Sequence, residues 1–221
     1  MSIWEDVFAQ REWGKYPPVE LVKIATNFAR SKSEKIACLE LGPGSGANAY
    51  LLQDLFDDYA AIDISKSAIK QIRNRIDPKK KSLDLKVGCF SNLPWPDKYF
   101  DFVCDNLSIY ANKKSLIETT FNEISRVLKN ESLFYSRIWG LNCYGLNSGI
   151  EIEKNTFNNL QDGPCAEFGI SHFFNLDEII ETYSKYFVIN QINEIQTSSL
   201  FPKNNFKEGE NLIQEYIVIS S

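Results

Sequence analysis

Histidine and paired cysteines are nearly missing from this chain. His172 is the only histidine among 221 residues, and the five cysteines show no C-x-x-C spacing. Structural zinc sites are usually built from cysteines and histidines at such short spacings, so the sequence predicts no metal ion. The odd number of cysteines indicates reduced thiols that pack as small apolar side chains. We therefore expect a protein of a reducing, cytoplasmic compartment.

Long apolar runs are missing as well. No stretch approaches the roughly 20 residues that are needed to cross a bilayer. The first residues, Met-Ser-Ile-Trp-Glu-Asp, lack the basic start and the apolar core of a signal peptide. We therefore expect no insertion into a membrane.

A surplus of basic charge, which nucleic-acid binding requires, is also absent. The formal net charge is −5, whereas a general nucleic-acid binder needs a basic face that displaces counterions. One basic stretch, residues 64–86, carries a charge of +6 from eight basic and two acidic residues. It contains no interleaved aromatic residues and is typical of a solvated helix face. We expect a small-molecule partner and no nucleic acid, and the oligomeric state stays open.

The most informative segment is a glycine-rich turn after a short apolar run. Residues 36–41 read Ile-Ala-Cys-Leu-Glu-Leu, and glycines follow at alternate positions, Gly42, Gly44 and Gly46. A buried parallel strand, a glycine turn and a helix form the first unit of a nucleotide-binding α/β fold. Glycine permits a tight turn and lets a ligand lie directly on the backbone. The spacing also fits the dinucleotide pattern G-x-G-x-x-G/A, so it does not identify the ligand.

An acidic residue ends the next predicted strand. Residues 59–63 read as that strand, and Ser65 is predicted to cap a helix that runs to about Ile76. Asp63 then lies at the carboxyl end of the strand, where its carboxylate can accept hydrogen bonds from both hydroxyls of a ribose. The alternative is that Asp63 only helps to cap the helix. Because several nucleoside cofactors use such an acid, this position predicts a nucleoside without naming it.

Residues 87–103 separate these alternatives. The run Leu-Pro-Trp-Pro-Asp-Lys-Tyr-Phe-Asp, residues 93–101, resembles the L-P-F-x-D-x-x-F-D pattern of S-adenosylmethionine-dependent methyltransferases of the Rossmann-like class. The resemblance implies S-adenosylmethionine as the cofactor. This family often has an acid where Cys89 stands, so the hydrogen bond to the adenine amino group would come from Ser91, a backbone group or water. The cofactor-binding residues that it implies are Trp13, Glu40, Gly42, Gly44, Gly46, Asp63, Ile64, Cys89, Phe90 and Asp105.

These motifs predict an α/β fold with a doubly wound, seven-stranded, mostly parallel sheet. Strands four to seven are predicted at residues 100–106, 131–139, 186–195 and 212–220, with helices at 113–129 and from Asn175. The resemblance implies that the C-terminal strand is antiparallel. We expect one domain over residues 1–221: an N-terminal helical lid (1–32), a cofactor-binding core (33–139), a substrate loop inserted after strand five (140–172), and a C-terminal helix with strands (173–221).

Two segments outside the common core are expected to contact the methyl acceptor. In the N-terminal segment, Trp13 and Tyr16 lie beside Arg11 and Lys15, and aromatic faces suit the positive charge of a sulfonium. Simple packing onto the sheet edge is the alternative, which we favour for Trp4. Residues 140–171 contain five glycines, so we expect no long regular structure in their first half. This loop follows a strand end, where ligands of doubly wound folds bind.

Few side chains can act as a base in this chain. Asp105 lies at the end of strand four and Tyr110 follows it, Tyr16 comes from the lid, and His172 ends the loop. His172 is the obvious base for an O-methyl transfer, although a lone histidine is more often structural. Arg137 in strand five would need an anionic partner, either the acceptor or an acid of the protein. With Arg11, Lys15, Tyr16 and His172, it completes the predicted acceptor site.

The sequence therefore predicts a methyltransferase that moves a methyl group from S-adenosylmethionine to nitrogen or oxygen of a small polar acceptor. Phosphorylated and sugar-like acceptors are included in this prediction. An NAD(P)-dependent oxidoreductase and a catalytically silent subunit that binds S-adenosylmethionine are the alternatives.

Overall fold

A computed structural model describes residues 2–76, 82–198 and 211–221. In chain order its strands are β1 (Ala37–Leu41), β2 (Asp58–Asp63), β3 (Ser82–Val87), β4 (Phe100–Asn106), β5 (Leu128–Trp139), β6 (Ile150–Glu153), β7 (Thr156–Asn158), β8 (Ser171–His172), β9 (Ile189–Thr197) and β10 (Ile213–Ser220). Its helices are α1 (Ile3–Gln10), α2 (Val19–Ser31), α3 (Ala49–Leu55), α4 (Lys66–Arg75), α5 (Lys114–Val127) and α6 (Leu176–Tyr183). None of the helices in these ranges is long and apolar enough to cross a membrane.

Seven of these strands form the main sheet, in the order β3-β2-β1-β4-β5-β10-β9. The first five are parallel, and β10 runs antiparallel to both β5 and β9. The predicted α/β fold with an antiparallel C-terminal strand is confirmed. The order reverses between β1 and β4, and ligands of doubly wound sheets bind at such a switch point.

The side chains of β1 point alternately to the two faces of the sheet, and a hydrophobic cluster covers each face. Leu39 and Leu41 pack on one side, and Cys38 packs on the other. Side chains of a strand point alternately to opposite faces, so a strand that is covered on both sides is apolar throughout. This explains the uninterrupted apolar run before the glycine turn.

The predicted cap at Ser65 is present, and the helix predicted to begin at Asn175 is capped by that residue. The Ser65 hydroxyl accepts a hydrogen bond from the Ala68 amide at 3.1 Å, and the Asn175 side chain accepts one from the Glu178 amide at 2.8 Å. Such caps satisfy amide groups that have no partner within the helix. Glu178 stands three residues after Asn175, as the acid of a capping box does, but its carboxylate accepts hydrogen bonds from Lys114 and Asn155.

Several predicted boundaries move by a few residues. The helix that was expected directly after the glycine turn starts at Ala49, because the chain is still turning at residues 44–48. Strand six, predicted from residue 186, starts at Ile189, since Tyr186 bonds back to the end of α6. Strand five already begins at Leu128, with a left-handed residue at Glu131. Residues 77–81 of the basic stretch, and residues 199–210 between predicted strands six and seven, lie outside the described residues.

The insertion after β5 contains only short regular elements, as expected from its glycines. A 3₁₀ turn at Leu146–Ser148 precedes β6, β7 and β8, which form a small separate sheet. Gly145, with φ of +87°, lies against the backbone of Asp162, so a Cβ there would come within 2.5 Å of it. This contact folds the loop back on itself.

Candidate functional site

The glycine turn after β1 has a backbone that only glycine adopts readily. Gly42, Gly44 and Gly46 have φ of +57°, +54° and +81°, a region that L side chains rarely occupy. A Cβ on Gly42 would lie 2.4 Å from the Ser108 Cβ. One on Gly46 would lie 3.0 Å from Ile72. The tight turn expected from these glycines is present, and close packing against Ser108 and Ile72 adds a second requirement for glycine at positions 42 and 46.

A cavity of about 510 Å³ lies beyond the carboxyl ends of β1, β2, β4 and β5. The glycine turn forms its floor, and residues of the N-terminal segment cover it. We call the part near Asp63 the β2 end and the part near Arg137 the β5 end. The wall has three parts. The N-terminal segment contributes Trp4, Phe8, Trp13 and Tyr16, and the β2 end includes Gly42, Gly44, Asn48, Asp63, Ile64, Cys89 and Phe90. The β5 end includes Asn106, Ser108, Tyr110, Arg137, Trp139 and Pro164.

The position of Asp63 allows both roles that the sequence left open, which are capping of the helix and binding of a ribose. Its carboxylate accepts hydrogen bonds from the Ser65 amide at 2.9 Å and from the Gly44 amide at 3.0 Å, so it ties α4 to the glycine turn. Burial raises the pKa of this carboxyl. Asp63 also belongs to the cavity wall, and each carboxylate oxygen can accept a second hydrogen bond.

The N-terminal segment is fixed over the glycine turn by polar contacts. Glu5 accepts hydrogen bonds from the hydroxyls of Ser65 at 2.7 Å and Ser67 at 2.8 Å, and these bonds lower the pKa of its carboxyl to about 2. The Trp13 amide donates to the Ser45 hydroxyl at 2.6 Å. These contacts connect the segment both to the start of α4 and to the glycine turn itself.

Aromatic rings form the outer part of this cover. Trp4 lies 5.6 Å and Trp13 lies 4.7 Å from Phe168 of the insertion, measured between ring centroids. The two covering segments, one on each side of the core sequence, therefore meet above the cavity. We favoured simple packing for Trp4, and this was only half right, because Trp4 packs in this stack and also lines the cavity.

Comparison with known proteins agrees with this geometry. Residues 39–136 match a family described as a methyltransferase domain. The part of the chain that forms β1 to β5 is thus similar to a methyltransferase domain, and the match covers a little under half of the chain. The antiparallel β10 and this match favour the methyltransferase over the oxidoreductase alternative.

Individual relatives show how far the similarity extends. A mouse (Mus musculus) eEF1A lysine and N-terminal methyltransferase is 30% identical over 132 residues, which are 57% of this chain and 18% of that protein. The chain thus spans about a fifth of the length of this curated relative. A S-adenosylmethionine-dependent methyltransferase from Methanosarcina mazei is similar in fold, with a TM-score of 0.70, 21% identity, and coverage of 94% of this chain and 98% of that chain. The Burkholderia thailandensis 1,6-didemethyltoxoflavin-N1-methyltransferase, solved with S-adenosylhomocysteine, has a TM-score of 0.61, 11% identity, and coverage of 90% and 76%.

The β2 end of the cavity fits S-adenosylmethionine, the cofactor that the family resemblance implies. Gly42 and Gly44 expose backbone to the cavity, Asp63 lies beside them, and Ile64 is half exposed in the same wall. Cys89 and Phe90 also line the cavity, as the resemblance implied. Ser91, the suggested partner of adenine, pairs with the Cys89 thiol at 3.0 Å and is not part of the wall.

Two predicted cofactor residues do not touch the cavity. Glu40 is 1% exposed and accepts hydrogen bonds from the Tyr59 hydroxyl and from the Asn48 amide, the latter at 2.8 Å. Burial raises the pKa of its carboxyl to about 7. It therefore positions Asn48, which does line the cavity. Gly46 faces Ile72 of α4, and its role is in the turn.

Asp105 lies beneath the cavity, and not in its wall as we expected. It is fully buried, and its carboxylate accepts hydrogen bonds from the amides of Ser108 and Ile109, both at 3.0 Å, and from the Ser136 hydroxyl at 3.0 Å. Burial raises its pKa to about 6. Asp105 thereby holds the left-handed turn at Leu107, which carries Ser108 and Tyr110 into the wall. It is a positioning residue for the β5 end.

His172 is not placed to act as a base. It is fully buried among α6 and the small sheet, with its Nδ1 2.7 Å from the Thr156 hydroxyl and its Nε2 3.4 Å from Glu178. Glu178 also binds Lys114 and Asn155, each at 2.8 Å. Because His172 does not reach the cavity wall, its contacts explain it as a structural residue that joins the insertion to the helices.

The other predicted acceptor residues divide between the cavity and the surface. Tyr110 and Tyr16 line the cavity, but burial raises the pKa of the Tyr110 hydroxyl well above its usual range, so it stays protonated at neutral pH. Arg11 lies over the Trp13 ring at 5.1 Å, outside the wall. Lys15 lines a smaller neighbouring hollow and not the main cavity.

Arg137 belongs to the cavity wall and has a protein partner. Its guanidinium forms an ion pair with Glu215 of β10. Its Nε and the Asn106 Oδ1 are buried without a hydrogen-bond partner among the described residues. The sequence left a protein acid or an anionic acceptor open, and the ion pair supplies the acid.

Sequence reasoning missed several wall residues. Asn48 directly follows the glycine turn and Trp139 ends β5, so their positions next to predicted strand or turn ends could have indicated them. Pro164 and the covering Phe168 carry no such signal, because the path of a long loop cannot be derived from its own residues.

Proposed function

We propose that this chain transfers the methyl group of S-adenosylmethionine to a nitrogen or oxygen atom of a small polar acceptor. The observation that carries the proposal is one continuous cavity. It extends from the glycine turn and Asp63 to Tyr110, Arg137 and Trp139, beneath an aromatic cover. A cofactor at one end and an acceptor at the other would share this one space.

The chain's own residues would act mainly by positioning. Asp63 would accept hydrogen bonds from the ribose, and Ile64 and Phe90 would cover the adenine. Aromatic faces of Trp13, Tyr16 and Tyr110 suit the positive charge near the sulfur. The cofactor supplies an activated methyl group on a good leaving group, so orientation and exclusion of water can provide most of the rate.

A protein side chain is a second candidate acceptor. The smaller hollow, which includes Lys15, Tyr50 and Asp54, adjoins the main cavity at Tyr16 and opens to the surface. A protein segment lying there could extend a side chain past Tyr16. The curated mouse relative is named as a lysine and N-terminal methyltransferase, which favours testing such substrates.

Calorimetric titration with S-adenosylmethionine, S-adenosylhomocysteine and NAD tests the cofactor part. We expect binding of the first two and none of NAD. Binding of NAD alone, or no binding of S-adenosylmethionine, would refute the proposal. Gly44→Ala should abolish binding, because the new Cβ would lie 2.9 Å from Phe8 at a φ of +54°. Gly169→Ala is the matched control, since Gly169 has φ of +78° but its Cβ would meet nothing closer than 3.8 Å.

Transfer of labelled methyl tests the catalytic part. Small amines, sugars, phosphorylated compounds and lysine-containing peptides would be compared with the parent protein and with Gly44→Ala. Labelling of a small compound that Gly44→Ala fails to label supports the proposal. Labelling of peptides alone favours the second candidate. Cofactor binding with no labelling of any acceptor supports the silent subunit that the sequence left as an alternative.

A further inference from the structure

The charges around the cavity are few and nearly balanced. Among the described residues of its wall, Asp63 and Arg137 are the charged ones. They belong to β2 and β5, which are separated by β1 and β4, so about 14 Å lies between them at about 4.8 Å per strand. Each end of the cavity can therefore be considered separately.

Arg137 at the β5 end is already neutralised. It forms an ion pair with Glu215, and the two side chains are 18% and 8% exposed. A phosphate or carboxylate that approached this guanidinium would also approach the Glu215 carboxylate, in surroundings with little water to screen the repulsion. The ion pair thus disfavours an anionic acceptor, including the phosphorylated acceptors that the sequence allowed.

A cationic acceptor has no charged partner in the described part of the β5 end either, although the uncharged Asn106 Oδ1 is free to accept a hydrogen bond there. An alkyl amine is protonated at neutral pH, and it must lose that proton before its lone pair can attack. No carboxylate lines this end among residues 2–76, 82–198 and 211–221. Asp105 is buried beneath the wall and His172 lies elsewhere, while Tyr110 holds its own proton. Alcohols and phenols, which also need a base, are disfavoured for the same reason.

Apart from the ion pair, the described wall of the β5 end is uncharged, and its largest surfaces are two aromatic rings. Tyr110 and Trp139 stand at 77° to each other with ring centroids 6.0 Å apart. Leu107, Ala111 and Pro164 line the same part of the wall, together with the uncharged polar side chains of Asn106, Ser108 and Asn112. Two rings at such an angle offer a planar aromatic ligand one stacked and one edge-to-face contact.

We propose that the acceptor is an uncharged heteroaromatic compound that is methylated on a ring nitrogen, a proposal that rests on the methyl transfer proposed above. A pyridine-type nitrogen has a free lone pair at neutral pH and requires no base. The lone pair forms the new bond to the methyl carbon. The carbon–sulfur bond breaks, its electrons stay on sulfur, and the positive charge passes from the sulfonium to the ring.

The test uses four small aromatic probes of different charge with the full chain saturated in S-adenosylhomocysteine. Isoquinoline is neutral, benzylamine is a cation, phenyl phosphate is an anion, and phenol needs a base. Binding is measured by calorimetry and by quenching of tryptophan fluorescence, because Trp4, Trp13 and Trp139 line the cavity. We expect isoquinoline to bind most tightly. With S-adenosylmethionine, its methylation should not change with pH between about 7 and 9, since its nitrogen is already unprotonated there.

Glu215→Gln tests the charge argument directly. Removing this carboxylate leaves the Arg137 charge without its partner, so the affinity for phenyl phosphate should rise about tenfold while that for isoquinoline stays the same. Glu131→Gln is the matched control, because Glu131 is exposed on the same sheet far from the cavity. It should change neither affinity. Circular dichroism and thermal unfolding check that each variant is folded.

The results separate this proposal from the one on which it depends. If S-adenosylhomocysteine does not bind the parent protein, the methyltransferase proposal itself fails. If it binds and isoquinoline does not, or if phenyl phosphate, benzylamine or phenol binds more tightly than isoquinoline, only the heteroaromatic acceptor is refuted. An unchanged phenyl phosphate affinity in folded Glu215→Gln refutes the role of the ion pair.

Discussion

Replacing Glu40 by glutamine should remove a large pH dependence of stability. Glu40 is fully buried, and burial raises the pKa of its carboxyl from 4.5 to about 7. Tyr59 and Asn48 donate hydrogen bonds to it. Because the folded state binds this proton more tightly than the unfolded state, Glu40 contributes stability that is fully present below about pH 4.5. That contribution is lost as the pH rises through about 7.

The size of the effect follows from the pKa difference. A difference of about 2.5 units at 1.36 kcal/mol per unit corresponds to about 3 kcal/mol between pH 4.5 and pH 8. Glutamine has nearly the same shape and stays uncharged. Its carbonyl oxygen can accept the hydrogen bond from Asn48. Its NH₂ group can donate to the Tyr59 hydroxyl once that hydroxyl has rotated. At pH 8 the variant should therefore gain much of this free energy relative to the parent protein.

Urea unfolding of the parent protein and of Glu40→Gln at several pH values from 5 to 8 measures this gain. The difference between their free energies of unfolding should shift by about 2–3 kcal/mol in favour of the variant across that range. Glu131→Gln changes an exposed carboxylate and should follow the parent curve. Parallel curves for the parent and Glu40→Gln would show that Glu40 is ionised at the same pH in both states, and the reasoning would fail.

Much of the fold was predictable because its signals are local. The apolar run before Gly42 and the cap at Ser65 each determine a short element from neighbouring residues. The closing antiparallel strand was inferred from the family resemblance and is confirmed by the pairing of β10 with β5 and β9. Boundaries shifted where a turn residue decided them, as at Glu131 with its positive φ.

The candidate site was only partly predictable, because the type of a residue does not determine whether its side chain is buried or lines a cavity. Asp63 and Asp105 both end parallel strands, yet Asp63 lines the cavity and Asp105 lies beneath it. The difference comes from the turn after β4, whose amide groups close over Asp105. His172 was attractive as the only histidine, but its partners Thr156 and Glu178 come from distant parts of the chain.

Three further perturbations test the cavity, its cover and the buried histidine. Gly42→Ala should lower the free energy of unfolding by about 2 kcal/mol and abolish binding of S-adenosylhomocysteine, because its Cβ would lie 2.4 Å from that of Ser108 at a positive φ; unchanged binding would mean that this turn does not hold the cofactor. Glu5→Gln should increase amide hydrogen exchange in α1 and weaken S-adenosylhomocysteine binding, since the charged bonds to Ser65 and Ser67 fix the cover; an unchanged exchange rate would show that the aromatic stack alone suffices. His172→Ala should lower the free energy of unfolding by about 3 kcal/mol, since it leaves a void and unpaired polar groups. Its methyl-transfer rate should keep the parent's pH profile at temperatures where it is folded, because His172 does not reach the cavity. If the pH profile of the variant lacked an ionisation that the parent protein shows near the usual pKa of histidine, His172 would be the base after all. The insertion would then have to open during turnover.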